Sequence, residues 1–372
     1  MKKVGIMSMQ RIVNYGSFLQ AYALKTLIEE LGYSVEFVDY HVEAPIIKDN
    51  IENNNKIIRK IKKGLETFQC KVPLSHKLLF ILYKQTFEKK YLPLLGITKK
   101  MNYTPKLDCL VIGSDEVFNC IQKNQNVGYS LELFGKNSKA KKVITYAASF
   151  GNTTLFKLKK YNKDKEISFL LEKINTISVR DENSGKIIKS LTTKEPIYNL
   201  DPVLIYDYIN CCEKIPKIEL KEKYIILYAY SGRITEKEAK WIKQYASKKG
   251  YKIYAIGGIQ NYSDKFISCS PFEVLSYFKN AEEIITDTFH GSIFSIIAQK
   301  KFTTLIRKSV GDSYGNEEKL SDLLTRLNLT ERMTTDISEI EKISNKEIDY
   351  NNVNILLNKY RKLAKEYLNN NI

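Results

Sequence analysis

The feature that most constrains this chain is a recurring pattern: a short β-branched or apolar run, a tight polar turn, then an apolar stretch at helical spacing. Its sharpest instance is Glu283-Ile284-Ile285-Thr286-Asp287-Thr288-Phe289-His290-Gly291-Ser292-Ile293-Phe294. The first half reads as a strand, the centre as a turn and the rest as a buried helix. Strands alternating with helices imply a mainly parallel sheet, because parallel neighbours need a crossover connection. In such sheets ligands collect at the carboxyl ends of the strands, where the next helix offers unpaired N–H groups and the positive end of its dipole. Thr288, His290, Gly291 and Ser292 are therefore expected to surround an anion site, with Gly291 admitting a close backbone approach. The plainer reading of His290 is a half-buried, hydrogen-bonded side chain, but the chain has only three histidines.

The same pattern recurs along the chain. Residues 3–8 read as a strand, Asn14, Tyr15 and Gly16 as a polar loop, 18–31 as a helix and 34–40 as a strand, making one βαβ unit. A buried strand at 107–113 puts Ser114 and Asp115 at its carboxyl end, where Asp115 can cap the next turn or serve as a base on a sugar hydroxyl. After a strand at 143–147, residues 176–184 repeat strand end, charged turn and helix start. There Arg180 carries a fork suited to carboxylate or phosphate, or else pairs with Asp181 or Glu182. A polar linker at 206–223 precedes a strand at 224–230, a helix at 236–247 and a strand ending in Gly257-Gly258, either a close ligand approach or a simple turn. Ser270, Pro271 and Glu273 have the spacing of an N-cap, first position and third position of a helix.

A length of 372 residues suggests about two domains, expected at 1–205, with a basic helical insertion near 41–100, and at 222–372. The formal charge of +17 favours polyanions such as a phosphorylated substrate or an anionic lipid surface. The lysines are spread along the chain rather than gathered with aromatics, so no nucleic acid partner is expected. Residues 57–65 read as a short basic amphipathic helix, which either packs one face on a neighbour or makes peripheral contact with the inner membrane face. The N-terminal apolar run is broken early, unlike a signal peptide, and no run of about 18 apolar residues occurs, so a cytoplasmic location is expected. Six cysteines show no zinc spacing, and D-x-D and H-E-x-x-H are missing, so no metal is expected. Dinucleotide, P-loop and nucleophile-elbow motifs are also missing.

Taken as an ordered set, Asn14-Tyr15-Gly16, Gln20-Ala21-Tyr22-Ala23-Leu24, Gly113-Ser114-Asp115, Tyr146-Ala147-Ala148-Ser149-Phe150-Gly151, Ser178-Val179-Arg180-Asp181, Leu200-Asp201-Pro202 and Phe289-His290-Gly291 resemble the polysaccharide pyruvyl transferase family. The resemblance implies an α/β fold of two Rossmann-like domains facing a cleft, similar to glycosyltransferase B enzymes. It also implies transfer of a pyruvyl group from phosphoenolpyruvate to two hydroxyls of a saccharide, forming a ketal in surface polysaccharide (exopolysaccharide) biosynthesis. Phosphoenolpyruvate is then a co-substrate, no cofactor is needed, and the acceptor is a saccharide or its lipid-linked form. By the same resemblance His290 is the donor-site acid or phosphate ligand, Arg180 clamps the donor, and Thr288, Gly291, Ser292, Gly257 and Gly258 line the donor site. Asn14, Tyr15, Gly16, Ser114 and Asp115 face the acceptor, with Asp115 as base. Relatives resemble R-L-H where this chain has Thr288-Phe289-His290, so Arg307, Arg233 or a lysine would supply the donor cation. The alternatives are a glycosyltransferase B-type enzyme using a nucleotide sugar and a non-catalytic saccharide-binding protein.

Overall fold

The computed structural model describes residues 2–47, 69–122, 128–308 and 315–372. The basic stretch at 57–65 lies outside the described residues. By internal contacts the chain forms two compact units. The described part of the first is 2–47, 89–122, 128–207 and 351–372; that of the second is 69–88, 208–308 and 315–350. The division differs from the halves expected at 1–205 and 222–372, because the last helix groups with the first unit.

The first unit is built on six parallel strands: β1 (Lys3–Met7), β2 (Ser34–Phe37), β3 (Cys109–Asp115), β4 (Lys142–Ala148), β5 (Ser178–Val179) and β6 (Ile197–Tyr198). Their order is β2-β1-β3-β4-β5-β6. Helices must cover both faces of a parallel sheet, which is why the first six residues of β3 are buried without alternation. The helix Tyr15–Glu29 runs from β1 towards β2 and buries Tyr15, Phe18, Leu19, Leu24, Leu27 and Ile28. β3 extends to Asp115 rather than stopping at Gly113, so Asp115 ends the strand instead of following it.

The second unit repeats the plan with β7 (Tyr224–Tyr228), β8 (Lys252–Ile256), β9 (Lys265–Phe266), β10 (Glu283–Thr286), β11 (Phe302–Leu305) and β12 (Met333–Thr334). The order β12-β11-β10-β7-β8-β9 is the 3-2-1-4-5-6 order of dinucleotide-binding domains, read with β7 as strand one. Its helices start where the sequence signals them. Ser270 caps Pro271–Asn280 in a capping box with Glu273, and Thr235 caps Glu236–Lys249 in a second box with Glu238. Among the described residues no helix is long and apolar enough to cross a membrane.

The helix Tyr350–Asn371 completes the first unit. Tyr367, 5% exposed, donates from its hydroxyl to the Thr145 carbonyl at 2.7 Å, and its ring lies 6.1 Å from that of Tyr146. Tyr367→Ala is expected to destabilise the first unit by about 3–5 kcal/mol. Hydrogen exchange should accelerate along β4 and not along β7, and equal acceleration in both would contradict this grouping.

Candidate functional site

Each sheet has one point where the strand order reverses, and ligands bind at the carboxyl ends beside it. In the first unit it lies between β1 and β3, and in the second between β7 and β10. Polar side chains concentrate at both places.

In the first unit the centre is Arg180, directly after β5 and only 3% exposed. Its Nη1 donates to Asp201 Oδ2 at 3.1 Å and to Asp115 Oδ1 at 3.4 Å, and its Nη2 reaches the same Asp115 oxygen at 3.4 Å. Burial alone would lower the guanidinium's pKa, but Asp115, Asp201, Asp181 and Glu116 outweigh it and raise it above the ordinary arginine range. Asp201 is wholly buried; it also caps the helix Pro202–Ile205 and accepts from Ser114 Oγ at 3.4 Å. Asp181, one expected partner of Arg180, caps Glu182–Leu191 and accepts from Ser149 Oγ at 2.5 Å.

Asp115 closes β3 with φ 79°, a left-handed conformation that costs a non-glycine residue on the order of 1–3 kcal/mol and is found mostly where function requires it. Its other oxygen accepts from Ser17 Oγ at 3.5 Å. Tyr40, which the sequence reading placed in a strand without a role, titrates above the usual tyrosine range because of burial and then the charges of Asp39 and Asp115. No local pattern marks it, since Asp115 lies far along the chain.

The remaining first-unit candidates are structural in their visible contacts. Asn14 is the N-cap of Tyr15–Glu29, its Oδ1 accepting the Ser17 N–H at 2.7 Å. Tyr15 is fully buried and Gly16 is buried in the same first turn. Ser114 is wholly buried, with its carbonyl accepting from Ser8 Oγ at 2.9 Å. Arg180, Asp115 and Ser114 thus come together in one unit, while His290, Thr288, Gly291, Ser292, Gly257 and Gly258 all belong to the other.

In the second unit, Thr288 is the N-cap of Phe289–Ile297, and its Oγ1 accepts the Gly291 N–H at 2.9 Å. The Ser292 N–H is taken by the Thr288 carbonyl, and Ser292 Oγ lies 2.8 Å from Thr304 Oγ1. His290, part-exposed, occupies the first turn. A Cβ on Gly291 would stand 2.0 Å from Thr286 Oγ1 and 2.7 Å from Thr288 Oγ1, so only glycine lets the cap close. Gly258 behaves similarly: a Cβ there would meet the Ala229 carbonyl at 2.4 Å and the Ser231 N at 2.5 Å. The close approach at Gly258 is therefore made by the chain's own 229–231 backbone.

Asp287 sits between β10 and this cap, a residue quoted in the sequence pattern but given no role. It is wholly buried, and neither carboxylate oxygen has a hydrogen-bond partner among the described residues. Arg307 Nε is 3.9 Å away, and Arg307 is itself held by Glu238 through Nη1–Oε1 at 2.6 Å and Nη2–Oε2 at 3.2 Å. Burial pushes the Asp287 carboxyl up from 3.8 to about 6; Arg233 and Arg307 oppose the shift and Glu238 adds to it. The two arginines named as replacements for the one missing at Thr288 thus act on the same strand end. A cavity of about 380 Å³ in this unit lies at the other end of the sheet, beside Glu283, Lys300 and Lys301, which lie at the amino ends of β10 and β11. It is at the opposite end of the strands from the switch point.

Two six-stranded parallel sheets, each with a strand-order reversal, define a doubly wound α/β protein. Within that class the chain belongs to the polysaccharide pyruvyl transferase family, whose model matches residues 14–309. Comparison with curated proteins gives no match. Similar solved structures include an O-GlcNAc transferase from Thermobaculum terrenum, at 10% identity and TM-score 0.41 over 98% of this chain and 64% of that one. They also include S. aureus MnaA with UDP, at 11% identity and TM-score 0.47 over 96% of this chain and 91% of that one. The glycotransferase of kitacinnamycin follows at 10% identity and TM-score 0.49, over 99% and 97% of the two chains.

Two stability measurements separate the sites. Arg180→Ala strips the counter-charge from buried Asp201 and is expected to destabilise by about 3–5 kcal/mol in urea unfolding; a loss under about 1 kcal/mol would refute the pairing. Asp287 has the opposite sign. Its folded pKa of about 6 exceeds 3.8, so stability from the neutral form is full below the lower value and lost as pH rises through the higher one. At pH 7.5 Asp287→Asn should therefore stabilise the fold by about 1–3 kcal/mol, and at pH 4 the gain should vanish.

Proposed function

We propose that the chain transfers a pyruvyl group from phosphoenolpyruvate to two hydroxyls of a saccharide, forming a ketal and releasing phosphate. The observation that carries this reading is the family match over residues 14–309, which contains both switch points' charged residues. The donor carries a carboxylate and a phosphate, and the second unit offers Arg233, Arg307 and the first turn of Phe289–Ile297 with His290. The acceptor must lose two hydroxyl protons, and the first unit offers Asp115. Protonation of the donor's methylene makes C2 electrophilic; one hydroxyl adds, phosphate leaves, and the second hydroxyl closes the ketal. Because Arg180 is committed to Asp115 and Asp201, we assign it to holding Asp115 rather than to clamping the donor. His290 is a phosphate ligand in the same reading. The compartment follows as cytoplasmic, at the site of polysaccharide precursor assembly.

The test is calorimetric titration of phosphoenolpyruvate and of a panel of nucleotide sugars into the wild type, Arg180→Lys and His290→Ala. Phosphoenolpyruvate should bind the wild type. His290→Ala should weaken it about 10- to 100-fold, the loss of one charge-assisted hydrogen bond. Arg180→Lys keeps the buried charge but loses the fork, and should leave donor affinity within about threefold. Binding of a nucleotide sugar in place of phosphoenolpyruvate would overturn the donor assignment.

A further inference from the structure

Buried carboxylates in folded chains are normally hydrogen-bonded, and one whose oxygens accept no hydrogen bond from a neighbouring side chain marks a place where stability has been given up. Asp287 is that carboxylate here. It is 0% exposed, both its oxygens lack a hydrogen-bond partner among the described residues, and Arg307 Nε stands 3.9 Å from one of them. Its position is the carboxyl end of β10, at the strand-order reversal and one residue before the Thr288 cap.

The charged groups around it come from four elements. Arg233 follows β7 and stacks its guanidinium 4.6 Å from the Tyr230 ring centre. Arg307 follows β11 with its side chain 25% exposed, so its guanidinium is shared between the interior and solvent. Glu238, in the first turn of Glu236–Lys249, fixes Arg307; burial works against its charge, but the Arg307 and Thr235 hydrogen bonds hold its pKa below the usual range. His290 belongs to the first turn of the helix that follows Asp287.

An anion arriving at this strand end must share Arg233 and Arg307 with Asp287. Of the three carboxylate or phosphate groups then competing, Glu238 has two hydrogen bonds from Arg307 to lose, the ligand has its own contacts, and Asp287 has only the 3.9 Å ion pair with Arg307 Nε. The cheapest way to relieve the repulsion is to neutralise Asp287, and a carboxyl already pushed up to about 6 needs little driving to do so.

We propose that Asp287 is a positioning residue of the donor site that takes up a proton when the anionic donor binds, which makes donor affinity proton-linked through this one buried carboxyl. This rests on the donor reading given above. It assigns Asp287 no contact with the donor; the residue acts through Arg233 and Arg307. The site is thereby selective for anionic ligands at mildly acid to neutral pH, and Asp287 sets that range.

The experiment is calorimetric titration of phosphoenolpyruvate between pH 6 and 8 into the full chain and into Asp287→Asn, each in two buffers of different ionisation enthalpy. The ligand's own phosphate titration is common to both proteins and cancels in their ratio. Relative to Asp287→Asn, the wild-type Kd should rise with pH by up to about tenfold per unit, and the wild type should take up a fraction of a proton that the variant does not. At pH 8 the variant should bind at least as tightly as the wild type. A ratio that does not change with pH, with equal proton uptake, overturns the proposal and leaves the donor reading standing. Absence of phosphoenolpyruvate binding to the wild type overturns both.

Discussion

A guanidinium cannot stay in a protein interior without counter-charge, and the first unit is arranged around meeting that demand. Arg180 leaves β5, Asp115 ends β3 and Asp201 follows β6, so one buried cation ties together the ends of three strands, reaching across β4. Ser114 joins the same cluster through Asp201. With Asp201 also capping a helix, each charge has more than one fixed partner, and the backbone of Asp115 can be held at φ 79°. The result places a carboxylate that is 14% exposed at the switch point with its orientation fixed by a cation behind it.

The second unit, with a different strand order, meets its own strand-order reversal with different electrostatics. Its arginines are engaged, Arg307 by Glu238 and Arg233 by Tyr230, while Asp287 is left without a hydrogen bond. A well-satisfied network resists change, whereas an unsatisfied one responds to whatever charge arrives. The two strand ends therefore differ in kind: one is a cluster of charges held by several partners each, the other keeps a buried carboxylate whose oxygens accept no hydrogen bond from a neighbouring side chain.

Much of this was readable in the residues, and the part that was not has a common cause. Helix starts depend on contacts three residues apart, so the Ser270–Glu273 box and the Thr288 turn could be seen locally. The parallel strands showed as unbroken apolar runs because both their faces are covered. Side-chain roles at strand ends depend on partners far along the chain. Asn14 and Tyr15 looked like ligand-facing loop residues, yet one is a cap and the other is in the core. Asp287 stood in the most informative stretch, but its environment is made by Arg233, Glu238 and Arg307, and no local spacing encodes them. The last helix, Tyr350–Asn371, likewise finds its partners far back in the chain, at Thr145 and Thr176.

That last helix has a consequence for how the protein is made. Tyr367 and Asn371 bond to Thr145 and Thr176, so a sheet whose strands are all translated before residue 200 lacks a covering element until residues 351–371 have been added. The second unit has no such dependence on the segment after Tyr350. On the ribosome, then, the later-coded unit can close first, while the earlier-coded one waits with part of its apolar surface uncovered, a window in which chaperone binding or aggregation competes with folding.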